Sequence, residues 1–136
     1  QMLRARQQRK QPRLDDKIVL SWNAMMIEAL ALAGASLDEP SWIDMARRAA
    51  DAVSTRLRHA DGSLARCARR GVVAESEAGL EDYASLALAF IALHRVSDRA
   101  PASGRQDLAT AVALLELAHE RFHDASGGKG YFDTRD

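Results

Sequence analysis

The chain has 136 residues, a formal net charge of zero and 28% charged side chains. This length suits one ordinary domain, which buries about two-thirds of the surface of its unfolded chain. The balanced charge excludes a strong overall field that would recruit nucleic acid or an anionic membrane. Cys67 is the single cysteine, so an internal disulfide framework is excluded and a reducing, cytoplasmic compartment is predicted.

The N-terminal stretch up to Arg13 is basic and polar and contains no acidic residue. It lacks the aromatic residues and the wider basic surface of a nucleic-acid arm, so we interpret it as the tail of a preceding helix and a loop, broken at Pro12. No apolar run reaches the roughly 18 residues of a membrane span, and no signal peptide is visible. We therefore expect neither a nucleic acid nor a membrane as partner, and expect the chain to be a piece of a longer protein.

Hydrophobic periodicity predicts four helices. The first, about 16–33, is apolar nearly all round, which indicates a helix buried on most sides. The second, about 41–58, is amphipathic; the third, about 81–96, is again almost wholly apolar. The fourth, about 105–122, is amphipathic, and its predicted inward residues are Leu108, Ala111, Val112, Leu115, Ala118 and Phe122.

A shift of 66 residues relates the two halves of the chain. The equivalent positions are Asp15-Asp16 and Glu81-Asp82, Leu20 and Leu86, Glu28 and His94, the predicted helix caps Ser41 and Asp107, and the turns Asp61-Gly62 and Gly127-Gly128. Each unit, about 15–80 and 81–136, is a helical hairpin followed by a glycine turn and a β-ribbon tail, SLARCARRG or KGYFDT. Apolar inner helices and amphipathic outer helices indicate an all-α toroid, in which neighbouring hairpins cover the inner ring.

Four motifs, in this order and spacing, resemble the YyaL/spermatogenesis-associated protein 20 family: DDK, WNAMMIEALA, LEDYA and GGKGYFDT. The resemblance runs from about Arg9 to Thr134, and Ala24 stands where the family's WNG motif has glycine. It implies that the chain is a segment of one (α/α)6 toroid domain, similar to those of N-acylglucosamine 2-epimerases and six-hairpin glycosidases. It also implies a thioredoxin-like domain in the full-length protein. Because this chain contains no CxxC motif, no redox function is carried over, and no cofactor is predicted.

Acidic residues at the starts of the apolar helices are the candidates for catalysis. If the inner-helix N-termini open on the central cleft of a toroid, Asp16, Glu81 and Asp82 would converge there, as carboxylate pairs do in glycosidases. A helix N-terminus favours the ionised carboxylate, so the roles of nucleophile, base or sugar-hydroxyl acceptor suit them better than that of general acid. The alternative is structural, because acids in a first turn stabilise a helix by about 0.3–1 kcal/mol or can join one ring to the other.

Five further residues are candidates for substrate binding. Trp22 and Tyr83 could stack on a sugar, and Asn23 adjoins Trp22. Glu28 and His94 are lone polar residues of apolar helices, each either satisfied by a neighbour or exposed to a cavity, where histidine could act as acid or base in an epimerase-type site. The prediction is therefore a toroid segment that acts on or binds carbohydrate, glycoside hydrolase-like or sugar epimerase-like. The alternative is a non-catalytic helical-repeat scaffold for protein partners.

HERFH, from His119 to His123, matches the H-E-x-x-H pattern of zinc proteases. Arg121 places a charge where such helices normally have uncharged residues, the helix ends at once in DASGG, and no histidine follows as a third ligand. We therefore predict no metal site.

The two apolar helices also predict self-association. In two hairpins alone, the faces that neighbouring hairpins would cover form a patch larger than soluble monomers usually expose. Burial of that patch recovers about 25 cal/mol per Å². We therefore expect the chain to associate through its inner helices.

Overall fold

The computed structural model describes residues 2–10, 14–97, 101–126 and 130–134. In chain order these form α1 (Met2–Gln7), β1 (Lys17–Val19), α2 (Leu20–Ser36), α3 (Pro40–Arg56), β2 (Cys67–Arg69), β3 (Val72–Val73), α4 (Leu80–Arg95) and α5 (Pro101–Phe122). The prediction of helical hairpins with short β segments is confirmed. The predicted break at Pro12 and the turn at Gly127-Gly128 lie outside the described residues. None of the helices in these ranges combines the length and apolar character needed to cross a bilayer.

Two hairpins, α2–α3 and α4–α5, pack through their first helices. Helices α2 and α4 lie against each other along their length, and each outer helix packs on the inner helix that precedes it. Buried positions of α2 recur 66 residues later in the second hairpin: Leu20, Ala24, Ile27 and Ala31 in the first, and Leu86, Phe90, Leu93 and Ser97 in the second. The hydrophobic core therefore lies between the two inner helices and between each inner helix and its outer helix.

The first inner helix begins later than predicted. Lys17–Val19 form a strand that pairs antiparallel with β2, and α2 begins at Leu20 with no acidic residue in its first turn. Asp15 and Asp16 precede that strand, so the interpretation that they stabilise a helix N-terminus is wrong. Helix α4, in contrast, begins with Glu81 and Asp82 in its first turn, as predicted.

Two predicted helix caps lie inside their helices. Helix α3 begins at Pro40, whose missing N–H costs nothing at the first helical position, so Ser41 is already helical. Helix α5 begins well before Asp107, whose side chain is buried. The Arg47 guanidinium donates to the Asp107 carboxylate at 2.9 Å and to Ser97 Oγ. Arg47 thus links the two hairpins.

Only part of the set of α5 residues predicted to face inward is buried. Ala111, Ala118 and Phe122 are buried, as expected. Because α4 covers only one side of α5 among the described residues, the neighbouring apolar positions remain exposed: Leu108, Val112 and Leu115.

The two predicted ribbons differ in the structure. The first forms a β2–β3 hairpin whose two-residue loop, Arg70-Gly71, has φ angles of 52° and 80°. Positive φ at both loop positions matches the twist of the flanking strands. The second predicted ribbon makes a single β-bridge between His123 and Tyr131.

One buried carboxylate joins the N-termini of the two inner helices. Asp82 is 2% exposed. Its Oδ2 accepts a hydrogen bond from the Gly79 N–H at 3.0 Å, and its Oδ1 accepts one from the Ser21 N–H at 3.1 Å. Gly79 is the N-cap of α4 and Ser21 lies in the first turn of α2, where N–H groups have no partner within the helix. The same side chain therefore caps its own helix and holds the neighbouring hairpin.

We expect Asp82→Ala to lower the free energy of unfolding by about 2–4 kcal/mol, because two buried N–H groups lose a charged acceptor. Asp82→Asn keeps one acceptor oxygen and should lose about half as much. Denaturant unfolding followed by circular dichroism gives both values. The control is Glu81→Gln at the adjacent exposed position, which should change stability by less than about 0.5 kcal/mol. A loss in Asp82→Ala no larger than in this control would contradict the double-cap role.

Candidate functional site

Asp16 is held by the tip of the β2–β3 hairpin. Its Oδ1 accepts from Arg69 Nε, and its Oδ2 accepts from Arg70 Nε at 3.0 Å. These hydrogen bonds, from Arg69 first and Arg70 second, hold the pKa of Asp16 below its ordinary value, and the contact with Asp16 raises the pKa of Arg69. Asp16 is therefore an ionised acceptor whose two oxygens already face cations.

Trp22 and Glu81 each adjoin one partner of the hydrogen bond that joins α2 to α4. The Ser21 N–H donates to Asp82 Oδ1; Trp22 follows Ser21 in the first turn of α2, and Glu81 precedes Asp82 in the first turn of α4. The indole is 69% exposed, and Glu81 is exposed. In the described part of the chain, Glu81 makes no ion pair or side-chain hydrogen bond. An aromatic platform and a carboxylate with open oxygens thus lie at one end of the inner helices.

The three candidate carboxylates have different partners. Both Asp82 oxygens are occupied by backbone N–H groups, and both Asp16 oxygens by arginines. Glu81 is therefore the carboxylate of this group that remains open to a ligand.

Tyr83 and Asn23 contact the protein itself. The Tyr83 ring is buried, packs edge-to-face on Phe122 at 5.7 Å between centroids, and has the Arg121 guanidinium 6.0 Å from its centroid. It is therefore not on the face that carries Trp22. Asn23 Nδ2 donates to the Val19 carbonyl oxygen at 2.7 Å, which fixes the junction between β1 and α2.

Glu28 and His94 occupy different kinds of position. Glu28 is half-buried in the middle of α2, whereas His94 lies in the last turn of α4. Although the two residues are equivalent in the 66-residue repeat, they do not occupy equivalent positions in their helices. Its Nδ1 lies 2.8 Å from the Gly104 carbonyl oxygen, so Nδ1 carries the proton and donates. A Cβ at Gly104 would lie 2.8 Å from Ser97 Cβ, so the missing side chain allows α5 to approach the end of α4.

Two surface hollows lie away from the exposed Trp22 indole. One, of about 500 Å³, opens between the sheet and α3 and is lined mainly by apolar residues, with Asn23 and Arg56 among them and no carboxylate. The other, of about 330 Å³, lies at the opposite end of the hairpins, between the α2–α3 turn and the end of α4. Its lining contains none of the residues predicted for the site. Two carboxylates, Asp38 and Asp44, line this second hollow, but neither is among the residues predicted for the site.

The HERFH segment makes structural contacts. His119 Nδ1 lies 2.8 Å from Tyr131 Oη, and the imidazoles of His119 and His123 are 4.6 Å apart between centroids. Arg121 pairs with Glu77 at 3.3 Å. No group of three histidine, cysteine, aspartate or glutamate side chains suited to a metal is found among the residues that the structure describes.

Two sets of polar contacts were missed by sequence reasoning. Arg69 and Arg70 were not assigned to Asp16, and Arg47 was not assigned to Asp107. The two ion-pair networks join residues more than 50 positions apart. The one local signal was Gly71, because glycine readily adopts the positive φ of a two-residue hairpin loop and so marks the turn beside Arg70.

Sequence comparison identifies two relatives. The chain is 30% identical over 135 residues to "Uncharacterized protein B0495.5" of Caenorhabditis elegans, and 29% identical over 139 residues to spermatogenesis-associated protein 20 of Homo sapiens. The alignments include 94% and 96% of this chain, which spans 17% of the length of each relative. No protein-family profile matches the chain. The chain is thus a distant relative of spermatogenesis-associated protein 20, which confirms that part of the resemblance.

The lowered pKa of Asp16 predicts a pH-dependent stability. Its ionised form contributes stability that is fully present above the unfolded pKa, 3.8, and is lost as pH falls through the lower folded pKa. The difference in unfolding free energy between the wild type and Asp16→Asn should be constant near neutral pH and shrink below pH 3.8. Urea unfolding at a series of pH values measures it. Asp15→Asn, at the exposed neighbouring carboxylate, is the control; the same profile for both variants would contradict the assignment.

We also expect the chain to bind no stoichiometric zinc, because structural or catalytic zinc needs three or four protein ligands and no third ligand side chain joins His119 and His123 among the described residues. Elemental analysis of protein purified without a histidine tag checks this expectation. One tightly bound zinc per chain that is lost in His123→Ala would contradict it.

Proposed function

We propose that the chain is a pair of adjacent hairpins of an (α/α)6 toroid, and that the N-terminal end of its inner helices contacts carbohydrate in the central cleft. The full-length protein would also carry a thioredoxin-like domain, and a cytoplasmic setting stays a prediction from the single cysteine. The observation that supports the toroid is the extent of uncovered surface.

The accessible surface of the chain is 9805 Å². A compact monomer of 14.9 kDa would expose about 7,000 Å². Part of the difference of about 2,800 Å² comes from residues 2–10, which are all exposed, and the rest lies on the hairpins. Apolar side chains contribute to this surface on both an inner and an outer helix, as Met26 and Val112 show. Such a surface is typical of a segment with neighbours on several sides.

Trp22 and Glu81 support the carbohydrate contact. An exposed indole offers an apolar face to the C–H groups of a sugar ring, and an unpaired carboxylate accepts hydrogen bonds from its hydroxyl groups. Asp16 and Asp82, both already satisfied, would position this end of the fold rather than react. Because Glu81 alone is open, a glycosidase or epimerase reaction would need a further catalytic group from elsewhere in the toroid. Binding is therefore the role proposed for these hairpins.

The second candidate function is a non-catalytic scaffold for protein partners. The observation that favours it is the exposed apolar stripe on α5, formed by Leu108, Val112 and Leu115. An outer helix that faced only water would carry polar residues at these positions.

We expect N-acetylglucosamine, glucose or a disaccharide of either to shift the Trp22 indole N–H signal in NMR titrations. Trp22→Ala should weaken binding by at least about tenfold. Glu81→Gln should weaken it by only about a few-fold, because the amide oxygen still accepts a hydrogen bond although it carries no charge. Leu115→Ala on α5 is the control and should bind as the wild type does. If no saccharide at tens of millimolar shifts any signal of the folded chain, the carbohydrate proposal fails and the scaffold is favoured.

A further inference from the structure

The inner helices share one uncovered surface, which we call the inner face. It consists of Trp22, Met25, Met26 and Ala29 of α2 together with Glu81, Leu88 and Arg95 of α4, all exposed. Leu88 is 51% exposed, although it lies near the centre of α4 and the other apolar residues of that helix are buried or half-buried. Glu81 and Arg95 make no ion pair in the described part of the chain.

The exposed residues of α2 and the exposed residues of α4 point to the same side of the helix pair. In α2 the residue that contacts α4, Ser21, precedes the exposed Trp22 by one position; in α4 the contacting Asp82 follows the exposed Glu81 by one. The helices run parallel, since their N-termini are joined and they pack along their length. Successive residues of a right-handed helix are about 100° apart around its axis. The exposed residue follows the contacting residue in α2 but precedes it in α4, so the two helices turn their exposed residues toward the same side. The inner face is therefore continuous across α2 and α4.

We propose that the inner face binds a second copy of this chain in antiparallel orientation, with Leu88 on the twofold axis. Glu81 and Arg95 lie seven residues before and after Leu88, about 10.5 Å along the helix and close to two full turns. The three side chains therefore form a line, with opposite charges at equal distances from its centre. A twofold rotation at Leu88 places Glu81 of each copy against Arg95 of the other, which is the self-complementary pattern of an isologous interface.

Side-chain size on α2 fits the same orientation. The N-terminal half of its uncovered stripe carries the large residues Trp22, Met25 and Met26, whereas the C-terminal half carries Ala29, then Ala33 and Ser36. An antiparallel pair places the large half of one helix against the small half of the other. A parallel pair with its twofold axis at α4 would place Glu81 against Glu81, which is electrostatically unfavourable. The zero net charge adds no overall repulsion between copies.

This pairing uses Trp22 and Glu81, the residues proposed above to contact carbohydrate, so a second copy and a saccharide would compete for them; the pairing does not itself require carbohydrate binding. Light scattering on the 136-residue chain at high micromolar concentration should give a dimer. Glu81→Arg and Arg95→Glu should each raise the dissociation constant by at least tenfold, and the double variant should restore the wild-type value. Asp51→Arg, an equal change of charge on the exposed side of α3, is the control and should leave it unchanged.

Cross-linking tests the position of the axis. In a Cys67→Ser background, Leu88→Cys should form an intermolecular disulfide on mild oxidation, whereas Leu115→Cys on α5 should not. A monomer overturns the proposal, as does a dimer that is insensitive to both charge reversals or that cross-links through position 115. The saccharide titration is repeated on Arg95→Glu, which retains Trp22 and Glu81 but should be monomeric. Saccharide binding by a chain that never dimerises would contradict the pairing but not the carbohydrate proposal. A wild-type dimer whose Arg95→Glu monomer binds no saccharide would contradict the carbohydrate proposal but not the pairing.

Discussion

The two hydrogen bonds that the Asp82 carboxylate accepts from Ser21 and Gly79 set the relation between the hairpins. A buried charge must be satisfied, and here the donors are N–H groups of two different helix N-termini. The bonds therefore fix the level of α2 against α4. Because the helices are aligned in this way, Trp22 and Glu81 both lie at the N-terminal end of the inner face. The same two hydrogen bonds occupy both oxygens of Asp82, so this carboxylate is not available to react.

The opposite end of the hairpin pair is held by a second buried polar contact. Arg47 of the first hairpin donates to Asp107 and Ser97 of the second, and Ser97 Oγ donates to the Leu93 carbonyl oxygen at 2.6 Å. Between the two ends the inner helices pack through small residues such as Ala24 and Ala31. Polar contacts at both ends and apolar packing between them hold the two hairpins as one unit, although one face of that unit is left uncovered.

Three acidic residues that look alike in the sequence lie in three different environments. Asp16 is ionised against Arg69 and Arg70, Asp82 is enclosed by backbone donors, and Glu81 faces solvent. The consequence for function is a separation of tasks, in which two carboxylates stabilise the fold and the third remains open to a ligand or a partner. Exposure, rather than residue type, distinguishes the third.

The sequence by itself determined the inner and outer helices, the recurrence of buried positions at a shift of 66, and the acidic first turn of α4, because helical periodicity and capping act within a few residues. Only the tertiary structure decided the environment of Asp16. Residues 17–19 become a strand because residues 67–69 pair with them, and that pairing brings Arg69 and Arg70 to the carboxylate. No local pattern at Asp16 carries this information, since the interaction spans more than 50 residues and depends on how the hairpins pack.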